Sequence, residues 1–262
     1  MNTDDSSPAL DRHTDSSSNP RGPWGPWATL GIGAILAAAA LAAQLVGGVV
    51  LLLVAEWTRN PVLDVNGGGD LGGNGLYWAV ATLASAPVEL GLILAAAVLR
   101  RGYPVRDYLA LHSPGARRIG QWLLVLVLFA VACDTVTWLA GRPIVPDVMV
   151  LAYQTAGYPA LLWVAMIVAA PVSEEFLFRG FLFRGLECSA LGPVGTIILT
   201  SLLWSAVHVQ YDLYGITIIF LAGLLFGFAR WRTGSIYPCV LMHGLMNLVA
   251  TFQAMLASQT QV

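Results

Sequence analysis

Seven apolar stretches dictate what this chain can fold into. They lie near 28–55, 76–99, 119–140, 157–178, 193–210, 214–229 and 235–256. A helix needs about 20 mostly apolar residues to cross a hydrocarbon core of roughly 30 Å. The stretches therefore predict an all-α, polytopic membrane helical bundle of about seven transmembrane helices. A short or re-entrant segment around 145–155 makes eight the alternative count. Only 11% of residues are charged, where soluble domains carry about 25%. The mean hydropathy of +0.71 agrees.

The connections are polar. Residues 1–25 are rich in Asp, Ser, Thr and Pro. They lack the apolar surface needed to order themselves and read as a disordered cytoplasmic tail. An acidic, polar start of this kind is not a secretory signal. The loop at 66–75 is glycine-rich and reads as flexible. Residues 26–262 then form a single transmembrane domain.

All 13 positive charges are arginines. Arg12, Arg21, Arg100, Arg101, Arg106, Arg117, Arg118, Arg184, Arg230 and Arg232 fall on one side if seven spans alternate, while Arg59 and Arg142 fall on the other. The positive-inside rule makes the first side cytoplasmic, and with it the N-terminus. The expected location is the cell membrane, multi-pass. No basic patch with interleaved aromatics points to nucleic acid. Cys133, Cys188 and Cys239 are far apart in sequence and read as small buried hydrophobes.

Ionisable groups inside a bilayer are costly and usually mark function. The fourth stretch contains Ser173-Glu174-Glu175-Phe176-Leu177-Phe178-Arg179. Adjacent helical residues point about 100° apart, so the two carboxylates diverge. Glu175 and Arg179 share a face four residues apart, in the favourable acid-before-base order. Glu175 thus has a built-in partner, and Glu174 is left free. The bland alternative is an interfacial ion pair at a helix end.

The fifth stretch carries Trp204 and His208, and the seventh carries His243 and Asn247 at i, i+4. Taken singly, a core histidine and an interhelical polar clamp explain these as well as chemistry does. Structural roles are favoured for Glu89 and Asp134, and His112 reads as surface. Together, the acid, the two histidines and the amide suit hydrolysis. Glu174 and His208 would activate water, with His243 and Asn247 on the oxyanion side. Metal binding is the competing use: a divalent ion such as zinc would take Glu174, His208 and His243.

Glu174-Glu175-x-x-x-Arg179, then Trp204-x-x-x-His208, then His243-x-x-x-Asn247 resembles the CAAX prenyl protease type II / bacteriocin-processing (Abi, CPBP) family of intramembrane proteases. The motifs stand in the family's order on separate predicted helices. Trp204 departs from the Phe more typical there. The resemblance implies an intramembrane endopeptidase with its catalytic core at about 157–256. It implies that Glu174 with His208 activates water, that Glu175 and Arg179 support them, and that His243 and Asn247 bind the oxyanion. It leaves open glutamate-type versus metal-dependent hydrolysis. The implied partners are the lipid bilayer and a membrane-embedded or lipidated protein or peptide substrate. The alternative is a non-catalytic transporter, immunity factor or scaffold, using the same groups as a proton relay or helix clamp.

One depth conflict accompanies this assignment. With the fourth span ending at 178, Glu174 lies near one face of the bilayer. By the same counting, His208 lies nearer the other.

Overall fold

The computed structural model describes residues 22–63 and 71–260. Most of the expected tail, with Arg12, His13 and Arg21, lies outside the described residues, as do residues 66–70 of the glycine-rich loop. All regular secondary structure among the described residues is helical. Helix α1 spans Pro26–Thr58, α2 Gly75–Leu99, α3 Val105–Tyr108, α4 Ala116–Leu139 and α5 Asp147–Gln154. Helix α6 is a continuous helical run over Pro159–Glu187. It is followed by α7 at Gly192–Ala206, α8 at Leu213–Thr233 and α9 at Tyr237–Thr260.

Six of these helices, α1, α2, α4, α6, α8 and α9, are long and apolar enough to cross a membrane, and α7 is a shorter apolar helix. The protein is therefore a polytopic helical bundle of the expected class. The segment suspected at 145–155 is the eight-residue α5.

Two boundaries differ from the sequence expectation, and both bear on the site. The fourth span does not stop at 178. It continues to Glu187 because Phe181, Leu182, Phe183 and Leu186 extend the buried face beyond Arg179. Glu174 consequently falls near the middle of a 29-residue run. The fifth span ends at Ala206, not 210, giving a 15-residue helix about 22 Å long. His208 terminates it: its Nδ1 lies 2.8 Å from the Trp204 carbonyl oxygen and occupies the place of the next backbone donor. Together these shifts remove the depth conflict between Glu174 and His208.

Helix α8 also runs further than the pattern suggested. The Asp212 side chain accepts from Gly215 N at its start, and Gly234, at φ 65°, closes its end in the left-handed conformation. Arg230 was expected in a loop with Arg232. It lies inside the helix, 2% exposed, with its Nε donating to the Arg179 carbonyl at 2.9 Å. Of the three cysteines only Cys239 is buried; Cys188 is exposed, contrary to expectation. Asp134 on α4 accepts from Gln253 Nε2 on α9 at 3.3 Å, and His112 pairs with Asp107 on the surface.

The main core gathers Phe178, Phe181, Trp204, Phe226 and Met242 from α6, α7, α8 and α9, with Ile93 from α2. Apolar residues such as Leu128, Val131, Leu202 and Phe252 remain exposed on outward faces, as expected where lipid replaces water.

Candidate active site

Helix α6 is not a uniform α-helix. Two π-helical segments, Ala165–Ala169 and Phe176–Leu182, flank a short α-helical stretch that contains Pro171, Glu174 and Glu175. Insertions of this kind recur at functional sites, because a wider turn re-aims the side chains beyond it. Proline has a physical part in the first one. In π geometry the N–H of residue 171 would bond the carbonyl of residue 166, but Pro171 has no N–H to give. Asn247 of α9 supplies the missing donor: its Nδ2 lies 2.7 Å from the Met166 oxygen. The backbones meet closely here. A Cβ on Gly244 would stand 3.1 Å from the Ile167 oxygen, so a larger residue would force the two backbones slightly apart.

One stability prediction follows from this contact. Asn247→Ala leaves the Met166 carbonyl in an apolar bundle without its donor, which costs about 1–3 kcal/mol. Thermal unfolding of the full chain in detergent should show a lowered midpoint. An unchanged midpoint would mean that the π-turn finds another donor.

The two carboxylates diverge as their helical spacing requires. Glu175 is wholly buried. Its Oε1 accepts from Arg179 Nη1 at 2.9 Å and lies 3.0 Å from His243 Nδ1. Arg179 is equally buried and donates its Nη2 to the Gly223 carbonyl of α8 at 3.2 Å. Its guanidinium lies 4.7 Å from the Trp204 ring and 5.5 Å from Phe226, a cation–π setting. These contacts tie α6, α8 and α9 through one ion pair.

Glu174 is half-buried and turns instead toward α7. Its Oε2 accepts from the Trp204 indole Nε1 at 2.6 Å. The wholly buried Trp204 ring stands edge-to-face with two imidazoles, His208 at 5.2 Å and His243 at 5.1 Å between centroids. Glu174, Arg179, His208 and His243 therefore surround a single indole, and Glu175 joins Arg179 to His243 behind it. Among the described residues, no direct hydrogen bond joins Glu174 to His208, and Asn247 faces Met166 one turn beyond His243.

The protons on the histidines follow from their partners. A carbonyl only accepts, so His208 Nδ1 carries hydrogen, and in the neutral ring Nε2 holds the free lone pair. His243 Nδ1 likewise donates to the Glu175 carboxylate. Its Nε2 can donate only when the ring carries both protons.

Residues 156–249 match the model of the type II CAAX prenyl endopeptidase Rce1-like family. The likeness covers about a third of the chain. The Rce1-like segment contains all six sequence-predicted site residues and Trp204, and it excludes α1 to α5. An uncharacterized 24.3 kDa protein of Escherichia coli is 34% identical over 129 residues, 48% of this chain. The alignment covers 54% of that curated relative, so the chain spans about half its length. No solved structure matches.

Three contributors beside the Rce1-like motifs were not evident as site residues. Glu89 of α2, outside the matched segment, is buried beside Ser173 and lies within electrostatic reach of Glu174. Its place two residues after Pro87 inside an apolar span was the available signal. Tyr211, between α7 and α8, gives its hydroxyl to Met149 Sδ at 3.0 Å. Burial, and then the charge of Glu174, push its phenol up to about 12, so it stays protonated. Phe226 packs on Trp204 and His243 and carried no sequence signal beyond hydrophobicity.

Among the described residues, no three His, Cys, Asp or Glu side chains gather as metal ligands. The Nδ1 of each histidine and one oxygen of Glu174 bond protein partners, as the outer atoms of metal ligands usually do, so the misfit lies in the spacing of the three side chains around the indole and not in those bonds. The set Glu174, His208 and His243 does not fit a resident zinc as placed.

Proposed function

We propose that this chain is an intramembrane endopeptidase that hydrolyses a peptide bond of a membrane-associated or lipidated substrate. The observation that carries this reading is the gathering of Glu174 of α6, His208 just past the end of α7 and His243 of α9 around Trp204. A proton relay would string polar groups along a path instead.

Glu174 Oε1 and His208 Nε2 are the atoms left to address a water. The base takes its proton as the oxygen attacks the substrate carbonyl. His243, in its doubly protonated form, donates Nε2–H to the tetrahedral oxyanion. The Glu175 carboxylate on its other nitrogen is the counter-charge to that form. Arg179 fixes Glu175 in turn. The second amide hydrogen of Asn247 is the remaining donor on that side, although its bond to Met166 also supports a purely structural role as a helix clamp. The arginine distribution supports a cytoplasmic N-terminus.

The test is cleavage of an internally quenched, farnesylated peptide ending in a CAAX tetrapeptide, and of its unprenylated counterpart, in proteoliposomes. His208→Ala should slow the turnover of any cleaved peptide by roughly 10²–10⁴-fold, the range for a positioned acid–base group. Undiminished cleavage by both Glu174→Ala and His208→Ala proteins would overturn the reading.

A further inference from the structure

Trp204 is tied to both groups proposed to activate water. Its indole N–H reaches Glu174 Oε2 at 2.6 Å, and its main-chain carbonyl holds His208 Nδ1 at 2.8 Å. We propose that Trp204 is a positioning residue that sets the orientation of Glu174 and His208 together, a role that rests on the protease reading above.

The indole Nε1–H is a donor only, so the direction of the bond is fixed by chemistry. The distance is at the short end for a hydrogen bond to a carboxylate. A glutamate's terminal torsion is broad, so the carboxylate of a half-buried Glu174 would otherwise rotate between orientations. Trp204 removes that freedom because its own ring cannot turn. It is wholly buried, with His208 and His243 against it in edge-to-face contact, Phe226 at 5.6 Å and the Arg179 guanidinium at 4.7 Å.

One carboxylate oxygen is thereby occupied, and Oε1 is left as the proton acceptor. Four residues later, on the next turn, His208 is held by the same residue's backbone, which leaves Nε2 as its free atom. A phenyl ring at 204 would keep most of the packing and lose the donor. Where Phe stands at this position the glutamate must be held in another way; in this chain the indole nitrogen, and not aromatic bulk, holds Glu174.

Two measurements on the full chain in detergent micelles decide this. With ¹⁵N-labelled indoles, the Trp204 signal is identified by its loss in Trp204→Phe. It should lie downfield among the nine tryptophans and move upfield in Glu174→Ala. An indole signal indifferent to Glu174→Ala overturns the proposal whether or not the protein cleaves peptides.

The second measurement replaces Trp204 with 3-benzothienylalanine, which has the same shape with sulfur in place of N–H. Single-turnover cleavage of the quenched farnesylated peptide should slow by roughly 10²-fold, the effect of misplacing a reacting group by about an ångström. KM should stay near its original value, whereas a packing defect would lower the unfolding temperature or raise KM. An unchanged rate with this replacement overturns the positioning role alone. Cleavage that survives Glu174→Ala counts against Glu174 as the base, and no cleavage by the unaltered chain counts against the protease reading; in either case the indole measurement still decides the contact.

Discussion

Glu174→Gln should lower the single-turnover rate of peptide cleavage by roughly 10³-fold with little change in stability, because it deletes a base and keeps a shape. The glutamine carbonyl can still accept the indole N–H now given to Oε2. What disappears is the second, basic oxygen. Glu174 is also the half-buried member of the carboxylate pair, so exchanging it leaves no sealed cation without its counter-charge. The substitution therefore separates chemistry from folding. Cleavage in proteoliposomes gives the rate, and thermal unfolding of the same preparation gives the stability. A rate within a few-fold of the original would mean that Glu174 is not the base. Attention would then pass to Glu89, the other buried carboxylate beside Ser173.

Part of this site was legible in the sequence because it follows from local periodicity. The i, i+4 spacing of Glu175 and Arg179 put them on one helical face, and they do pair there. Adjacent carboxylates must diverge on a helix, and Glu174 does turn to a different neighbour. The helical class and most of the span positions followed from hydrophobic run length, which is the strongest constraint a bilayer imposes.

What was not legible depends on contacts between helices. Spans drawn from hydropathy alone ended the fourth at 178. Arg179 and Arg184 looked like a helix end, yet both belong to one continuous run in which Arg179 is neutralised internally. Arg230 misled in the same way: a charge near a span end reads as a loop residue until its burial and its bond to the Arg179 carbonyl are seen. Trp204 read as bulk, because nothing in a one-dimensional pattern says which way an indole N–H points. Asn247 was paired with His243 by spacing. Its main contact instead answers the donor missing at Pro171, a consequence of π-helical register that periodicity does not encode.

Glu175→Ala should be the most destabilising single change in the site, costing about 3–5 kcal/mol, the range for breaking a buried ion pair from one side. The mutation leaves the Arg179 guanidinium wholly enclosed with only the Gly223 carbonyl and aromatic faces for company. His243 Nδ1 loses its acceptor in the same step. Glu175→Gln should be milder, since the amide oxygen can still accept from one of the two. The pair itself is a different matter from either half. Removing both charges, as in Glu175→Met with Arg179→Met, abolishes the unpaired cation along with the desolvation cost that made it harmful. Such replacements of buried pairs are often neutral in stability. A double-mutant cycle on thermal unfolding in detergent measures the coupling, with the double variant expected well above either single one. Its cleavage rate should nevertheless stay low, because His243 would have lost the counter-charge to its doubly protonated form. Strictly additive losses would show that Arg179 draws its compensation from elsewhere in the bundle.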